Sequence, residues 1–423
     1  MSERLPAGQD ERAGRAQAAR TLGLVPSFDG LRAVAVILIC TYHLELFIHP
    51  VSTELPGLFV GVNIFFVLSG FLITAIMLRE HDSTGRIRLR PFYEGRVLRL
   101  FPALFAMVAV EFVWSVLLHY PLDYELKAVA SALTYSSNWG LHMPWSFNFM
   151  VAARDDVGMV QLWSLAVEEQ FYLIWPIVLI GLLAITKRFK WAPMVLVALA
   201  IVFVMVHRMM GYVAMPASEF RQLGFTVLYQ RTDYRADDLL WGVLLALFWV
   251  RGWVPRRGLK LAGSIGFAIL AATVFVATQQ SGWVYVWGLP VMAIATVAVV
   301  LALLETDSRL KRVLETRWLC AVGMVSYGIY VWHVLIYQMV LHAVPRWSAG
   351  LQVAISAVLL ATVTVASWFF VEKPFLRVKD RLRRRSTDLA GTREVEPMRA
   401  EPGAGPVDAE VLPRLGPSAT VAD

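Results

Sequence analysis

Residues 31–48 read LRAVAVILICTYHLELFI, an apolar run that can cross a bilayer and yet carries Arg32 and His43. An ionisable side chain at the centre of a membrane helix costs about 2.5–3.5 kcal/mol on insertion scales, so such residues persist where they line a cavity or take part in chemistry. Ionisable side chains also lie in two later apolar runs, Glu168 and Glu169 in one and His333 in the other. The sequence therefore predicts a polytopic membrane protein with its reactive groups buried between helices.

Composition agrees with a membrane protein. The chain is 57% hydrophobic with a mean hydropathy of +0.58, well above a soluble domain. Its two cysteines, Cys40 and Cys320, both lie in apolar runs, which predicts no disulfide framework. The charged first 30 residues do not resemble a signal peptide. The net charge of +7 fits cytoplasmic loops better than a nucleic-acid partner, and none is predicted.

The fold class expected is all-α, a helical bundle with about ten transmembrane helices. Ten apolar runs are long enough to cross a bilayer, some of them only with tilt. They lie near residues 31–48, 57–78, 101–119, 162–185, 192–211, 236–250, 261–278, 284–304, 318–343 and 350–371.

Loop charge predicts the orientation of this bundle. Arginine and lysine concentrate in alternate connections, at residues 79–99, 187–190, 251–260, 309–317 and 373–385. The positive-inside rule then places both termini in the cytoplasm, as expected for a multi-pass protein of the cell inner (plasma) membrane. An eleventh candidate, 128–143, would reverse every later loop if it crossed, so it is interpreted as re-entrant or interfacial.

Three segments follow from this pattern. Residues 1–24 are predicted to form a cytoplasmic tail, 25–378 the membrane domain, and 379–423 a basic and then polar tail without stable structure. Membrane lipids are expected to contact the Arg383–Arg385 cluster. No internal repeat is visible, which argues against many secondary transporters.

The polar residues fall into two zones along the membrane normal. At about 1.5 Å of rise per residue, His43, Glu168 and His333 all reach the outer half of a core about 30 Å thick. Arg32 and the pair Arg96 and Arg99 lie at the cytoplasmic end. The basic zone suits an anionic donor. The deeper zone suits proton transfer, with histidine as general base and a carboxylate to orient it.

Seven motifs, taken in order, resemble a known family. They are SFDGLR (27–32), FFVLSGFLIT (65–74), FYEGRVLRLFP (92–102), WSLAVEEQFY (163–172), YRADDLLWG (234–242), SYGIYVWH (326–333) and VEKP (371–374). Together they resemble acyltransferase family 3, the integral membrane acyl-CoA-dependent O-acyltransferases, over roughly residues 24–378.

The resemblance implies transfer of an acyl group, usually acetyl, from acyl-CoA to a hydroxyl of a carbohydrate or glycosylated acceptor such as surface polysaccharide. It implies acetyl-CoA as donor substrate and no metal. By resemblance the catalytic residues are Arg32, His43 and Glu168, where the carboxylate supports the histidine or binds the sugar. The family usually has two adjacent arginines after Phe-Tyr, and here the first is Gly95.

The remaining candidate residues have two interpretations each. Arg96, Arg99 and Tyr93 are expected to bind the donor, and His333, Glu169 and Asp237 the acceptor substrate. His333 could instead hold helices together, Glu169 could support Glu168 or pack between helices, and Asp237 with Asp238 could cap the N-terminus of their helix. Cys40, one turn before His43, is interpreted as a packing residue, although a Cys–His nucleophile is conceivable.

Two other functions stay open at this point. A small secondary metabolite such as a macrolide could be the acceptor in the same reaction. A transporter or flippase for lipid-linked sugars would explain cavity-lining charges without chemistry, and turnover of acyl-CoA only in the presence of acceptor would separate it from an enzyme.

The predicted orientation can be tested by cysteine labelling. A cysteine introduced at Asp155 should react with an impermeant thiol reagent in intact cells, because the loop 119–161 is predicted to face outward. A cysteine at Arg256 should be protected until the cells are opened. Labelling at Arg256 with protection at Asp155 would reverse the orientation.

Overall fold

A computed structural model describes residues 25–48, 55–139, 159–186, 188–255 and 257–382. These parts of the chain are helices and their connections and contain no strand, which confirms the all-α expectation. Residues 1–24 and the tail from 383, with Lys187, Asp155 and Arg256, lie outside the described residues. The predicted cytoplasmic orientation, the tails and the lipid-contacting cluster therefore stay predictions.

The helices are numbered here in chain order. They are α1 (Pro26–Phe47), α2 (Val60–Thr84), α3 (Leu89–Leu117), α4 (Leu122–Leu133), α5 (Leu162–Thr186), α6 (Ala192–Ala214), α7 (Ala217–Gly224), α8 (Thr232–Val250), α9 (Leu259–Val276), α10 (Leu289–Glu305), α11 (Arg309–Leu314), α12 (Arg317–Met324), α13 (Ser326–Ala343) and α14 (Ala349–Ser367). Three π-helical segments, Phe225–Tyr229, Val284–Gly288 and Trp368–Glu372, adjoin α7, α10 and α14.

The membrane bundle is confirmed. Within the described residues, eight helices are long and apolar enough to cross a membrane, and a ninth span results if α12 and α13 count as one. These nine correspond to nine of the ten predicted runs. The tenth, 236–250, is the greater part of α8, a 19-residue helix whose first half carries four charged residues. That charge keeps α8 below the hydropathy expected of a lipid-facing span.

One predicted span differs from expectation, and the weak eleventh segment agrees with it. The run 318–343 is not one straight helix, because α12 and α13 meet at an angle of 69° around Val325. The rise counted along one straight helix therefore does not apply to His333, and its depth in the membrane stays a prediction. The weak segment 128–143 contains the end of α4, which has only 12 residues, and the short 3₁₀ turn Ser137–Trp139. Neither is long enough to cross a bilayer, and residues 140–143 lie outside the described part.

Glycines let α2 and α8 approach closely at the centre of the bundle. A Cβ atom added to Gly70 would lie 2.0 Å from the carbonyl oxygen of Leu239, and one added to Gly242 would lie 2.0 Å from that of Val67. Small residues at such crossings bring backbones together, and packing is the main source of stability between helices in lipid. Both glycines belong to quoted motifs, so these motifs partly encode packing.

A buried ion pair holds α8 to α6, and a second one lies within α8. The Arg208 guanidinium on α6 donates to both Asp237 carboxylate oxygens at 2.7 and 2.9 Å, and both side chains are fully buried. Arg235 pairs with Asp238 at 2.8 Å within α8. The helix begins at Thr232, so the interpretation of Asp237 and Asp238 as N-terminal caps is wrong. Asp237 joins α6 to α8 instead.

Removal of one partner of this buried pair should destabilise the fold. Asp237→Asn keeps the shape of the side chain but leaves the Arg208 charge unpaired, a change that typically costs about 3–5 kcal/mol. Thermal unfolding in detergent should show a large fall in Tm. Asp123→Asn is the control, because its ion pair with Lys127 is exposed and such pairs contribute about 0–1 kcal/mol. Equal Tm values for the two variants would contradict this role of Asp237.

Candidate active site

Two cavities adjoin α1. The larger, of about 190 Å³, is enclosed by α1, α2, α3, α5 and α13. Arg32, Arg96, Arg99 and Glu168 face it. Much of its remaining wall is an apolar surface of α2, formed by Val62, Phe65, Phe66, Leu68, Leu72, Ile73 and Ile76. The cavity is therefore cationic on one side and apolar on the other.

The three arginines converge from two helices. Arg32, near the start of α1, lies 3.8 Å from Asp29, while Arg99 on α3 makes no ion pair within 4 Å among the described residues. The guanidinium carbon of Arg96 lies 3.4 Å from the ring centroid of Tyr172 on α5. Cations that share a low-dielectric cavity repel one another, so an anionic group bound among them would be stabilised.

Glu168 belongs to the arginine cavity. The charged groups around its carboxylate are Arg96, Arg32 and Arg99. Ser69 is hydrogen-bonded to Tyr172 across the same cavity. His43 does not line this cavity, and no described hydrogen bond or ion pair joins Glu168 to it. The structure thus places Glu168 where it can balance the charge of the arginines, away from the position expected of a partner for His43.

His43 is paired with a second histidine. The Nδ1 atom of His43 lies 3.1 Å from Nε2 of His333 on α13 and 3.0 Å from the carbonyl oxygen of Ile39. The Nδ1 atom of His333 lies 2.7 Å from the carbonyl oxygen of Tyr330. His333 is fully buried and lines neither of the two cavities, so it lies behind His43.

These distances determine which nitrogens carry hydrogen when both rings are neutral. A carbonyl oxygen only accepts, so each Nδ1 that faces a carbonyl must be a donor. The Nε2 atom of His333 is then a lone-pair acceptor for the His43 N–H. The Nε2 atom of His43 carries a lone pair too, and no described residue donates to it. This nitrogen can accept a proton from a substrate, and His333 can stabilise the imidazolium that results.

His43 lines the smaller cavity, of about 30 Å³. Ile39, Val62 and Tyr330 line both cavities, and the boundary that these three residues form is called the neck. The Tyr330 hydroxyl is fixed by Ser164 at 2.5 Å and by the carbonyl of Gln161 at 2.7 Å. Arg32 and His43 are eleven residues apart on α1, roughly 16 Å at helical rise. An elongated molecule could therefore bind the arginines and reach His43 through the neck.

The remaining predicted residues lie elsewhere. The Tyr93 hydroxyl donates to the carbonyl of Leu173 at 2.8 Å, and Tyr93 lines neither cavity. Glu169 lies near Arg96 with one carboxylate oxygen buried and unpaired. Asp237 also lines neither cavity. Cys40 is buried against Tyr337, in agreement with a packing role.

Sequence reasoning missed several lining residues. Tyr330 and Ser164 lie inside quoted motifs, so their signal was present, but a hydroxyl in an apolar run is weaker than a charge. Gln230 and Gln279 belong to none of the motifs, and only the fold brings them to His43. Within the described residues, no group of three or more His, Cys, Asp or Glu side chains could hold a metal ion. The expectation of no metal remains untested.

Comparison with known proteins places the chain among acyltransferases. A sequence model of the family described as "Acyltransferase domain" matches residues 25–372. The peptidoglycan O-acetyltransferase OatA of Listeria monocytogenes is 35% identical over 373 residues, which are 83% of this chain and 55% of that protein. YrhL of Bacillus subtilis, provisionally named a peptidoglycan O-acetyltransferase, is 32% identical over 83% of this chain and 54% of its own length.

The chain spans about half the length of the curated relatives it matches. No solved structure matches it. The family model covers most of the chain, with six of the seven quoted motifs in full and the first two residues of the seventh, so the predicted membership is confirmed. The chain belongs to the acyltransferase domain family of multi-pass membrane proteins.

Proposed function

We propose that this protein is a membrane O-acyltransferase that moves an acyl group, most simply acetyl, from acyl-CoA to a hydroxyl of a carbohydrate. The observation that carries the proposal is the free Nε2 atom of His43, a residue that lines the polar cavity next to the cationic one. The relatives named as peptidoglycan O-acetyltransferases support a glycan acceptor. The cell's plasma membrane is the proposed location.

The larger cavity suits the donor. The phosphates of CoA are anionic, and Arg32, Arg96 and Arg99 offer charge-assisted hydrogen bonds to them. The thioester arm would then pass along the apolar wall of α2 and through the neck to His43. Glu168 acts in this proposal as a positioning residue that holds the arginines by opposite charge.

The reaction needs one proton acceptor, and the acyl group is never bonded to the protein. The Nε2 atom of His43 takes the proton of the acceptor hydroxyl while its oxygen attacks the thioester carbonyl carbon. The tetrahedral intermediate then collapses, the C–S bond breaks, and the thiolate of CoA leaves and takes up the proton. His333 holds the His43 ring and stabilises its imidazolium form, the part that a carboxylate plays in a serine-protease triad.

Purified protein in lipid nanodiscs tests the reaction directly. An O-acyltransferase should release CoA from acetyl-CoA when a glycan acceptor is present and yield an acetylated glycan. A transporter or flippase would leave acetyl-CoA intact under the same conditions. Intact acetyl-CoA with every glycan supplied would overturn the proposal.

Loss of an arginine should weaken donor binding. Arg96→Ala and Arg99→Ala should each raise the KM for acetyl-CoA, because each removes a charge-assisted contact worth about 1.5–3 kcal/mol, roughly ten- to a hundredfold. Arg99→Lys should recover part of the loss, since a point charge remains. Arg90→Ala is the control, because Arg90 is exposed at the start of α3 and pairs with Glu94. A wild-type KM in both alanine variants would remove the donor site from this cavity.

Loss of the base should act on the chemical step. His43→Ala should lower kcat by about 10²–10⁴-fold with the protein still folded, since general-base catalysis contributes that much. Cys40→Ser, one turn away on α1, should stay close to wild type. Both variants are compared in one transfer assay at equal amounts of folded protein. An active His43→Ala beside an inactive Cys40→Ser would replace direct transfer with a thiol intermediate.

A further inference from the structure

The small cavity in front of His43 has a lining unlike that of the arginine cavity. Tyr42, Gln230 and Gln279 supply hydroxyl and amide groups, and Trp163 and Tyr229 supply aromatic rings. Neither a carboxylate nor an ammonium group is among the described residues that line it. Burial of a charged group without a partner is costly, so this lining selects a neutral and hydrogen-bonding ligand.

The side-chain amide of Gln279, which lines this cavity, has an N–H donor that is unpaired within the described part of the chain. The Tyr42 hydroxyl donates to Oε1 of Gln279 at 3.0 Å, which fixes the orientation of that amide. The Nε2 atom of Gln279 is buried and has no hydrogen-bond partner among the described residues. Buried amide donors in proteins are nearly always bonded, so each unpaired one needs an explanation. A ligand oxygen in the cavity would supply the missing acceptor.

The aromatic rings provide a rigid wall next to these amides. The ring centroids of Trp163 and Tyr229 lie 5.2 Å apart in an edge contact, and the guanidinium of Arg235 lies 4.4 Å from the Tyr229 ring. Only 1% of the Tyr229 surface and 6% of the Trp163 surface are exposed. A wall of fixed rings beside amide groups suits a ligand that has both C–H faces and hydroxyls, which is the chemistry of a sugar.

The cavity lies at the opposite end of the helices from the arginines. His43 is near the end of α1 and Arg32 near its start, while Trp163 begins α5 and Tyr172 follows two and a half turns later. Gln279 comes from the connection after α9, and Gln230 from the residues before α8. Donor and acceptor would therefore approach His43 from opposite ends of the bundle, and the acyl group would pass through the neck.

We propose that Gln279, Gln230 and Tyr42 form the acceptor subsite, which holds a neutral hydroxyl-bearing arm of a carbohydrate beside Nε2 of His43. This inference rests on the proposed acyltransferase function. A volume of about 30 Å³ admits little more than the reacting hydroxyl and the carbon that carries it. The sugar ring then stays at the mouth of the cavity, and the unpaired amide of Gln279 donates to an oxygen of the acceptor.

The test compares acceptor and donor kinetics in the full-length protein in nanodiscs. The probe is chitopentaose, a neutral oligosaccharide of N-acetylglucosamine, with acetyl-CoA as donor and acetylated product measured by mass spectrometry. Gln279→Met keeps the volume of the side chain and removes the amide, and Tyr42→Phe removes the hydroxyl that orients it. Each should raise the acceptor KM relative to the donor KM by about three- to tenfold, the loss of one neutral hydrogen bond.

A matched control separates this effect from general loss of packing. Gln352→Met changes a buried amide that donates to the carbonyl of Val344, away from both cavities, and should leave the ratio of the two KM values unchanged. Retention of the wild-type ratio in Gln279→Met and Tyr42→Phe would overturn the subsite. Release of CoA without any transfer to chitopentaose would overturn the carbohydrate assignment. Absence of CoA release in the wild-type protein would instead overturn the proposed function itself.

Discussion

A histidine buried between membrane helices must find partners for its nitrogens, because an unpaired polar group there costs free energy and no water is at hand to compensate. His43 satisfies this constraint at one nitrogen only, through Ile39 and His333. The contact ties α1 to α13 and aims the second nitrogen at the smaller cavity. The ring therefore lies in the wall of the polar cavity, on the other side of the neck from the arginines.

The two cavities adjoin each other at the neck, and their linings differ in charge. Arg32, Arg96 and Arg99 attract an anion on one side, and uncharged amides and aromatic rings line the other. A donor that is anionic at one end and neutral at its reactive end fits the first cavity and the neck together. Hydrogen bonds to Ser164 and Gln161 hold Tyr330 in place between the two cavities.

The sequence predicted the membrane bundle well because apolar length is a local property. It identified Arg32, Arg96 and Arg99 as one basic zone because charges stand out in apolar runs, and the structure gathers them in one cavity together with Glu168. The sequence predicted that Glu168 supports His43, but the carboxylate lies in the arginine cavity, which His43 does not line. The side chain that contacts Nδ1 of His43 depends on the break between α12 and α13 and on the rotation of each helix about its axis. Hydropathy predicts neither of these features. The position of Gln279 was not predicted, because only the fold brings this residue to His43.

The central claim is that the donor lies in the arginine cavity with its thioester at His43. An experimental structure with a non-hydrolysable acetyl-CoA analogue tests it most directly. The account predicts the phosphates within hydrogen-bond distance of Arg32, Arg96 or Arg99 and the carbonyl carbon beside the neck, within reach of a hydroxyl bonded to Nε2 of His43. An analogue bound with its carbonyl carbon away from the neck, or with its phosphates in the polar cavity, would contradict the account.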